Sequence, residues 1–152
     1  MNRTVAVIGA SPERRKFGNK SVRAHLAAGY TVYPVTPSAT EVEGLPAYPS
    51  ITDVPAGHID RVTVYLPPAI GLKVLPEIAA RSPGEVWFNP GADAPEVLAE
   101  ARRLGLNAIA GCSIVDLGMS PAQFGDECGI NGSRPEAIMP LAYCRLFLTL
   151  LC

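Results

Sequence analysis

Metal-binding and redox chemistry have little to work with in this chain. Its 152 residues include four cysteines and two histidines. Cys112, Cys128, Cys144 and Cys152 contain no C-x-x-C pair, and His25 and His58 lie far apart, so the spacing offers no zinc site. Four free thiols in a reducing compartment are expected. Excess charge of one sign is also missing. The formal net charge is −1, which argues against a broad nucleic-acid or membrane surface. No apolar run reaches the roughly 18–20 residues that a membrane helix needs. Met1-Asn2-Arg3 leads straight into an apolar run with no signal-peptide core before it. A cytoplasmic protein is expected. No Ser-His-Asp or Cys-His arrangement appears either, so the chain is not expected to be an enzyme in its own right.

What is present is a repeating alternation of strand and helix patterns. Residues 4–8, Thr-Val-Ala-Val-Ile, form an apolar run that stops at Gly9-Ala10-Ser11. Residues 21–28 read as a helix, with Val22 and Leu26 on one face and Gly29 as its C-cap. Residues 30–35 are a second strand, with Pro34 late in it. Residues 38–60 are irregular, apart from a short extended piece at Ala47-Tyr48 and a capped turn over 50–53. A third strand covers 61–66. A helix over 69–80 follows, with Ile70, Val74 and Ile78 in one stripe and Pro76 expected to kink or break it. Residues 85–89 are a fourth strand. Asp93 and Glu96 resemble a capping box for a helix reaching Leu104. Residues 106–111 are a fifth strand, ending at Cys112.

Five strands alternating with helices predict a doubly wound α/β domain of three layers: a parallel, Rossmann-like sheet with helices on both faces. The domain is placed at residues 1–117. Residues 118–152 form a loop rich in Gly, Pro, Ser and Asp, then an apolar tail from Met139 to Cys152. That tail is open to three readings: an extra helix on the sheet, a contact to a second copy or a protein partner, or an extension foreign to the domain.

In open α/β sheets, ligands sit beyond the carboxyl ends of the strands. The first such loop, Gly9-Ala10-Ser11, is therefore the leading candidate. Gly9 permits a tight turn and a close backbone approach, and the Ser11 hydroxyl can bond a phosphate oxygen. A helix N-terminus downstream supplies backbone N–H groups and a favourable dipole. Read blandly, the loop is a plain strand-to-helix turn. Asn19 is either part of this phosphate-binding start or a simple N-cap. After the second strand comes Val35-Thr36-Pro37. A dinucleotide site would place an acid here to hold the ribose diol, and the first acid is Glu41. With residues 9–14 reading Gly-Ala-Ser-Pro-Glu-Arg rather than G-x-G-x-x-G, this weighs against an NAD(P)-dependent oxidoreductase, which stands as the alternative. A protein-interaction module without a ligand is a third reading.

Motifs along most of the chain resemble one family. They are Val-Ala-Val-Ile-Gly-Ala-Ser at 5–11, Lys-Phe-Gly-Asn at 16–19, and Gly-Tyr-Thr-Val-Tyr-Pro-Val-Thr-Pro at 29–37. Further on come Gly-Leu-Pro-Ala-Tyr-Pro-Ser-Ile at 44–51, Tyr-Leu-Pro-Pro at 65–68, Asn-Pro-Gly-Ala at 89–92 and Gly-Cys-Ser at 111–113. In order and spacing these resemble the CoA-binding domain. It occurs as small single-domain proteins and as the first domain of the succinyl-CoA synthetase alpha subunit and of ADP-forming acyl-CoA synthetases. The similarity covers about residues 4–117. The phosphohistidine domain of the synthetases is absent, so no ligase reaction carries over.

The resemblance implies coenzyme A, free or acylated, as the ligand. CoA carries a pyrophosphate and a 3′-phosphate, so Lys16 becomes a candidate phosphate contact, with Arg14 and Arg15 behind it. Leu66, Pro67 and Pro68 become an apolar wall for the adenine or the pantetheine arm, or else merely open the next helix. Asn89 and Gly91 would face the thiol arm, or form a turn before a capped helix. Cys112 would lie near the CoA sulfur, or be a small buried residue.

Overall fold

The computed structural model describes residues 2–126. The apolar tail and three of the four cysteines lie outside the described residues. Five parallel strands form one sheet: β1 (Thr4–Ile8), β2 (Thr31–Val35), then β5 (Arg61–Val64), β6 (Glu85–Phe88) and β7 (Ala108–Ala110). Between β2 and β5 lies a small hairpin of β3 (Glu41–Val42) and β4 (Leu45–Pro46). The sheet order is β2-β1-β5-β6-β7. The chain winds outward from β1 to β2, then returns to the other side of β1. The carboxyl ends of β1 and β5 therefore flank the point where the winding reverses, which is where such sheets bind ligands. The expected doubly wound architecture is the one observed.

Helices cover both faces: α1 (Phe17–Ala27) and the short α4 (Ser113–Asp116) on one, α2 (Pro68–Ala80) and α3 (Pro95–Arg103) on the other. Strand alternation sorts the side chains. Val62, Val64, Val86 and Phe88 point toward α2 and α3 and pack with Leu75, Ile78, Val97 and Ala101. Each such fully buried side chain contributes about 1.5–3 kcal/mol. Val5, Val7 and Val32 point the other way and pack with Val22 of α1.

Several boundaries differ from the sequence expectation. α1 begins at Phe17 rather than residue 21, because Gly18 is a packing glycine and not a breaker. α2 continues through Pro76 to Ala80. Pro76 is exposed, so the carbonyl it leaves without an intrahelical donor can bond water. The Asp93–Glu96 capping box does not form: the N-cap of α3 is Ala94, with Pro95 at the first helical position. Asp93 Oδ1 instead accepts from the Gly91 N–H at 3.1 Å. Pro34 is tolerated because β2 is an edge strand of the sheet. The Ser50 hydroxyl does cap its turn, accepting from Thr52 N at 3.1 Å.

Candidate functional site

The turn after β1 is fixed by two glycines. Gly9 has φ +87°, and a Cβ there would lie 2.6 Å from the Tyr65 carbonyl oxygen. Gly18, at the start of α1, would place a Cβ 2.1 Å from the Gly9 carbonyl oxygen. No side chain fits at either position, so the first turn of α1 sits directly against the loop and the end of β5. The Gly9 and Ala10 N–H groups both donate to the Val35 carbonyl, at 3.0 and 3.3 Å. They fix the loop to β2 and are not the donors that the loop offers an anion. Those donors are at the helix start, where Phe17 and Gly18 have no intrahelical acceptor for their N–H groups. Ser11 is buried, and its hydroxyl oxygen accepts from Glu13 N at 3.1 Å.

A cleft of about 630 Å³ opens between these elements. It is lined by Gly9, Gly18 and Tyr65, by the apolar Phe17, Leu66, Pro67, Pro68, Pro90 and Ala92, and by Gly91. Arg15 and Lys16 supply its charge. Lys16 Nζ lies 2.8 Å from Glu13 Oε1, and Arg15 Nη2 lies 3.1 Å from Glu13 Oε2. Hydrogen bonds from Lys16 and then Arg15 hold the Glu13 carboxyl below its ordinary pKa. The carboxylate thus pairs with both cations beside the helix start. Phe17 was not singled out from the sequence, yet it is 56% exposed at the cleft. A large apolar side chain exposed on the first turn of a helix is the signal that would have found it.

Six residues expected in the site therefore share this cleft: Gly9, Lys16, Leu66, Pro67, Pro68 and Gly91. Ala10 and Ser11 continue its loop. Thr36 and Pro37 lie elsewhere, in a second hollow of about 440 Å³ beyond β2, with Ser38, Thr40 and Pro49. Val35 is buried and lines neither hollow.

Asn19 and Asn89 hold the site rather than line it. Asn19 is buried inside α1 and caps nothing. Its amide donates to the Ser11 carbonyl at 2.8 Å and to Glu43 Oε1 at 2.9 Å, and its oxygen accepts from Arg23 Nε at 2.8 Å. It ties the loop after β1 to α1 and to the β3–β4 turn. Asn89 is also buried. Its amide donates to Thr63 Oγ1 at 2.7 Å and to the Val64 carbonyl at 3.1 Å, while its oxygen accepts from Ser113 N at 2.8 Å. It ties the ends of β5 and β6 to the start of α4. Ser113 Oγ continues this network to Tyr65 Oη at 3.0 Å. Burial raises the Tyr65 pKa, with hydrogen bonding from Ser113 opposing the shift. Cys112 is a free thiol, half-buried at the N-cap of α4 and not among the residues lining the cleft.

Among the described residues no group of three or more His, Cys, Asp or Glu could hold a metal. No helix among them is long and apolar enough to cross a membrane.

The same architecture recurs in known proteins. A conserved hypothetical protein from Pyrococcus furiosus is 31% identical with a TM-score of 0.68, and the match covers 75% of this chain and 98% of that one. A hypothetical protein from Pyrococcus horikoshii OT3 is 28% identical with a TM-score of 0.70, covering 76% and 81%. A dinucleotide-forming acetyl-coenzyme A synthetase 1 from Ca. Korarchaeum cryptofilum, solved with phosphate and ADP, is 27% identical with a TM-score of 0.60; the match covers 70% of this chain and 25% of that one. A curated relative, acetate–CoA ligase [ADP-forming] I from Archaeoglobus fulgidus, is 36% identical over 75 residues, 49% of this chain. The match spans only 11% of that ligase. The family described as CoA binding domain matches residues 3–118. With the sheet order and the cleft at its switch point, that match shows that this chain belongs to the CoA-binding domain family.

Proposed function

We propose that the protein binds coenzyme A, free or acylated, in the cleft between the ends of β1 and β5, and carries out no chemistry of its own. One observation supports this most strongly. The cleft combines a helix N-terminus, two cations and a proline-rich apolar wall within about 630 Å³. A pyrophosphate suits the first two features, and a pantetheine arm suits the third. In this reading Gly9, Gly18 and the Phe17 N–H face the pyrophosphate with Lys16. Leu66, Pro67, Pro68 and Gly91 line the arm. Asn19 and Asn89 position the loops. The free Cys112 thiol is in keeping with a reducing, cytoplasmic setting.

Thermal melting tests the reading. CoA at 100 times its Kd adds about 2.7 kcal/mol to stability, which raises the Tm by roughly 5–10 °C for a domain of this size. NADH produces no rise. Stabilisation by NADH with none by CoA overturns the proposal in favour of a dinucleotide oxidoreductase fold.

A further inference from the structure

The two hollows at the carboxyl edge differ in charge, and that difference bears on which ligand fits. They lie on either side of the β1 loop, since β1 stands between β2 and β5 in the sheet. The larger one holds Arg15 and Lys16. The smaller one, beyond β2, is lined by uncharged residues. Its polar groups are hydroxyls. Thr36 Oγ1 and Ser38 Oγ lie 2.9 Å apart, and Ser38 N donates to Thr36 Oγ1 at 3.3 Å. Thr40 adds a third hydroxyl to the lining.

In doubly wound folds the end of the second strand meets the ribose of the bound nucleotide, and a charged residue there reads its substituents: an acid for a free diol, an arginine for a phosphate. The residues that line this hollow include neither. Hydroxyls can exchange hydrogen bonds with sugar hydroxyls, but they offer no counter-charge to a phosphomonoester, whose recognition draws on charge-assisted bonds. Arg15 and Lys16 lie across the β1 loop, beside the helix start that suits the pyrophosphate, and Arg14 is paired with Glu43 of the β3–β4 turn, Nε 3.2 Å from Oε1.

We propose that the ribose end is read without charge, so that the site binds 3′-dephospho-CoA about as well as CoA. This rests on the CoA reading above and deepens it: the ligand class is a pantetheine-bearing adenosine diphosphate, with the 3′-phosphate left in solvent.

Isothermal titration at low ionic strength, with CoA and with 3′-dephospho-CoA, tests it. The two Kd values are expected within about threefold of each other. Ser38 is exposed, so Ser38→Lys leaves the fold intact. It is expected to raise the preference for CoA over 3′-dephospho-CoA at least fivefold. Tenfold or greater preference for CoA in the unaltered protein overturns the inference, and so does an unchanged ratio in Ser38→Lys. CoA binding with strong discrimination leaves the broader reading standing. Failure of both ligands to bind overturns the inference and the CoA reading together.

Discussion

Toward α2 and α3 the sheet presents Val62, Val64, Val86 and Phe88; toward α1 and α4 the same two strands present Arg61, Thr63 and Trp87. The first face is a continuous apolar core. The second is buried as well, yet largely polar around β5 and β6. Arg61 is 3% exposed, with Nε 2.6 Å from Glu85 Oε1 and Nη2 2.7 Å from Asp116 Oδ2. Its guanidinium stacks over Trp87 and Tyr30, at 5.1 and 5.6 Å from the ring centres. Thr63, Ser113 and Asn89 form a second hydrogen-bonded group on this face. Apolar packing holds layers together but tolerates small slides of one side chain past another. Directional hydrogen bonds fix their partners in one arrangement. The polar network runs to Asn89 and Tyr65, directly beneath the cleft. The two faces therefore divide the labour: the apolar one stabilises the domain, and the polar one sets the relative positions of the loops around the cleft.

The largest effect that would test this division is a pH dependence. His25 on α1 is fully buried, and burial holds its pKa down to about 4 against an ordinary 6.5. Its Nδ1 donates to the Ser21 carbonyl at 2.8 Å, and Nε2 has no hydrogen-bond partner. Between those two pH values the unfolded chain takes up a proton that the folded one excludes. Stability is therefore complete above pH 6.5 and falls as the pH drops toward 4, by about 3 kcal/mol in total. His25→Asn, whose amide can reach the same carbonyl, should remove that slope in denaturant titrations at pH 7 and 4.5. A slope unchanged by the substitution would place the titration elsewhere.

A pair of substitutions separates the faces directly. Ile78→Val, on the apolar side, should cost about 0.5–1.5 kcal/mol and leave the Kd for CoA unchanged. Asn89→Ala, which removes the partner of Ser113 N, should cost about 1–3 kcal/mol and weaken CoA at least fivefold. Equal effects on affinity from both would erase the distinction.

The smallest effects concern the cations. Lys16→Ala should weaken CoA severalfold at low salt and progressively less as salt rises. Glu13→Gln should do the reverse, tightening CoA two- to threefold, because the phosphate no longer competes with a carboxylate for Lys16 and Arg15. Titrations at two ionic strengths would check both.

Much of this was legible in the sequence. The five strands and the reversal that makes the cleft follow from apolar runs and their order. Gly9, Lys16, Leu66, Pro67, Pro68 and Gly91 could be placed together because strand ends converge on one edge. What did not show were contacts between distant single residues. Nothing adjacent to Asn89 announces Thr63 or Ser113. Nothing near Asn19 announces Glu43, whose hairpin is two residues per strand and too short for any periodicity. Both asparagines therefore read as ligand groups or caps, while the fold uses them as ties. The helix start at Phe17 was also not legible, because the role of Gly18 depends on how closely Gly9 approaches, and that is a tertiary fact.

The most direct test is to titrate CoA while recording backbone amide spectra. The largest shifts are expected at Phe17, Gly18, Tyr65 and Gly91, at the carboxyl ends of the strands. Shifts concentrated at the opposite edge, at Arg3, His58, Gly84 and Asn107, would contradict the account.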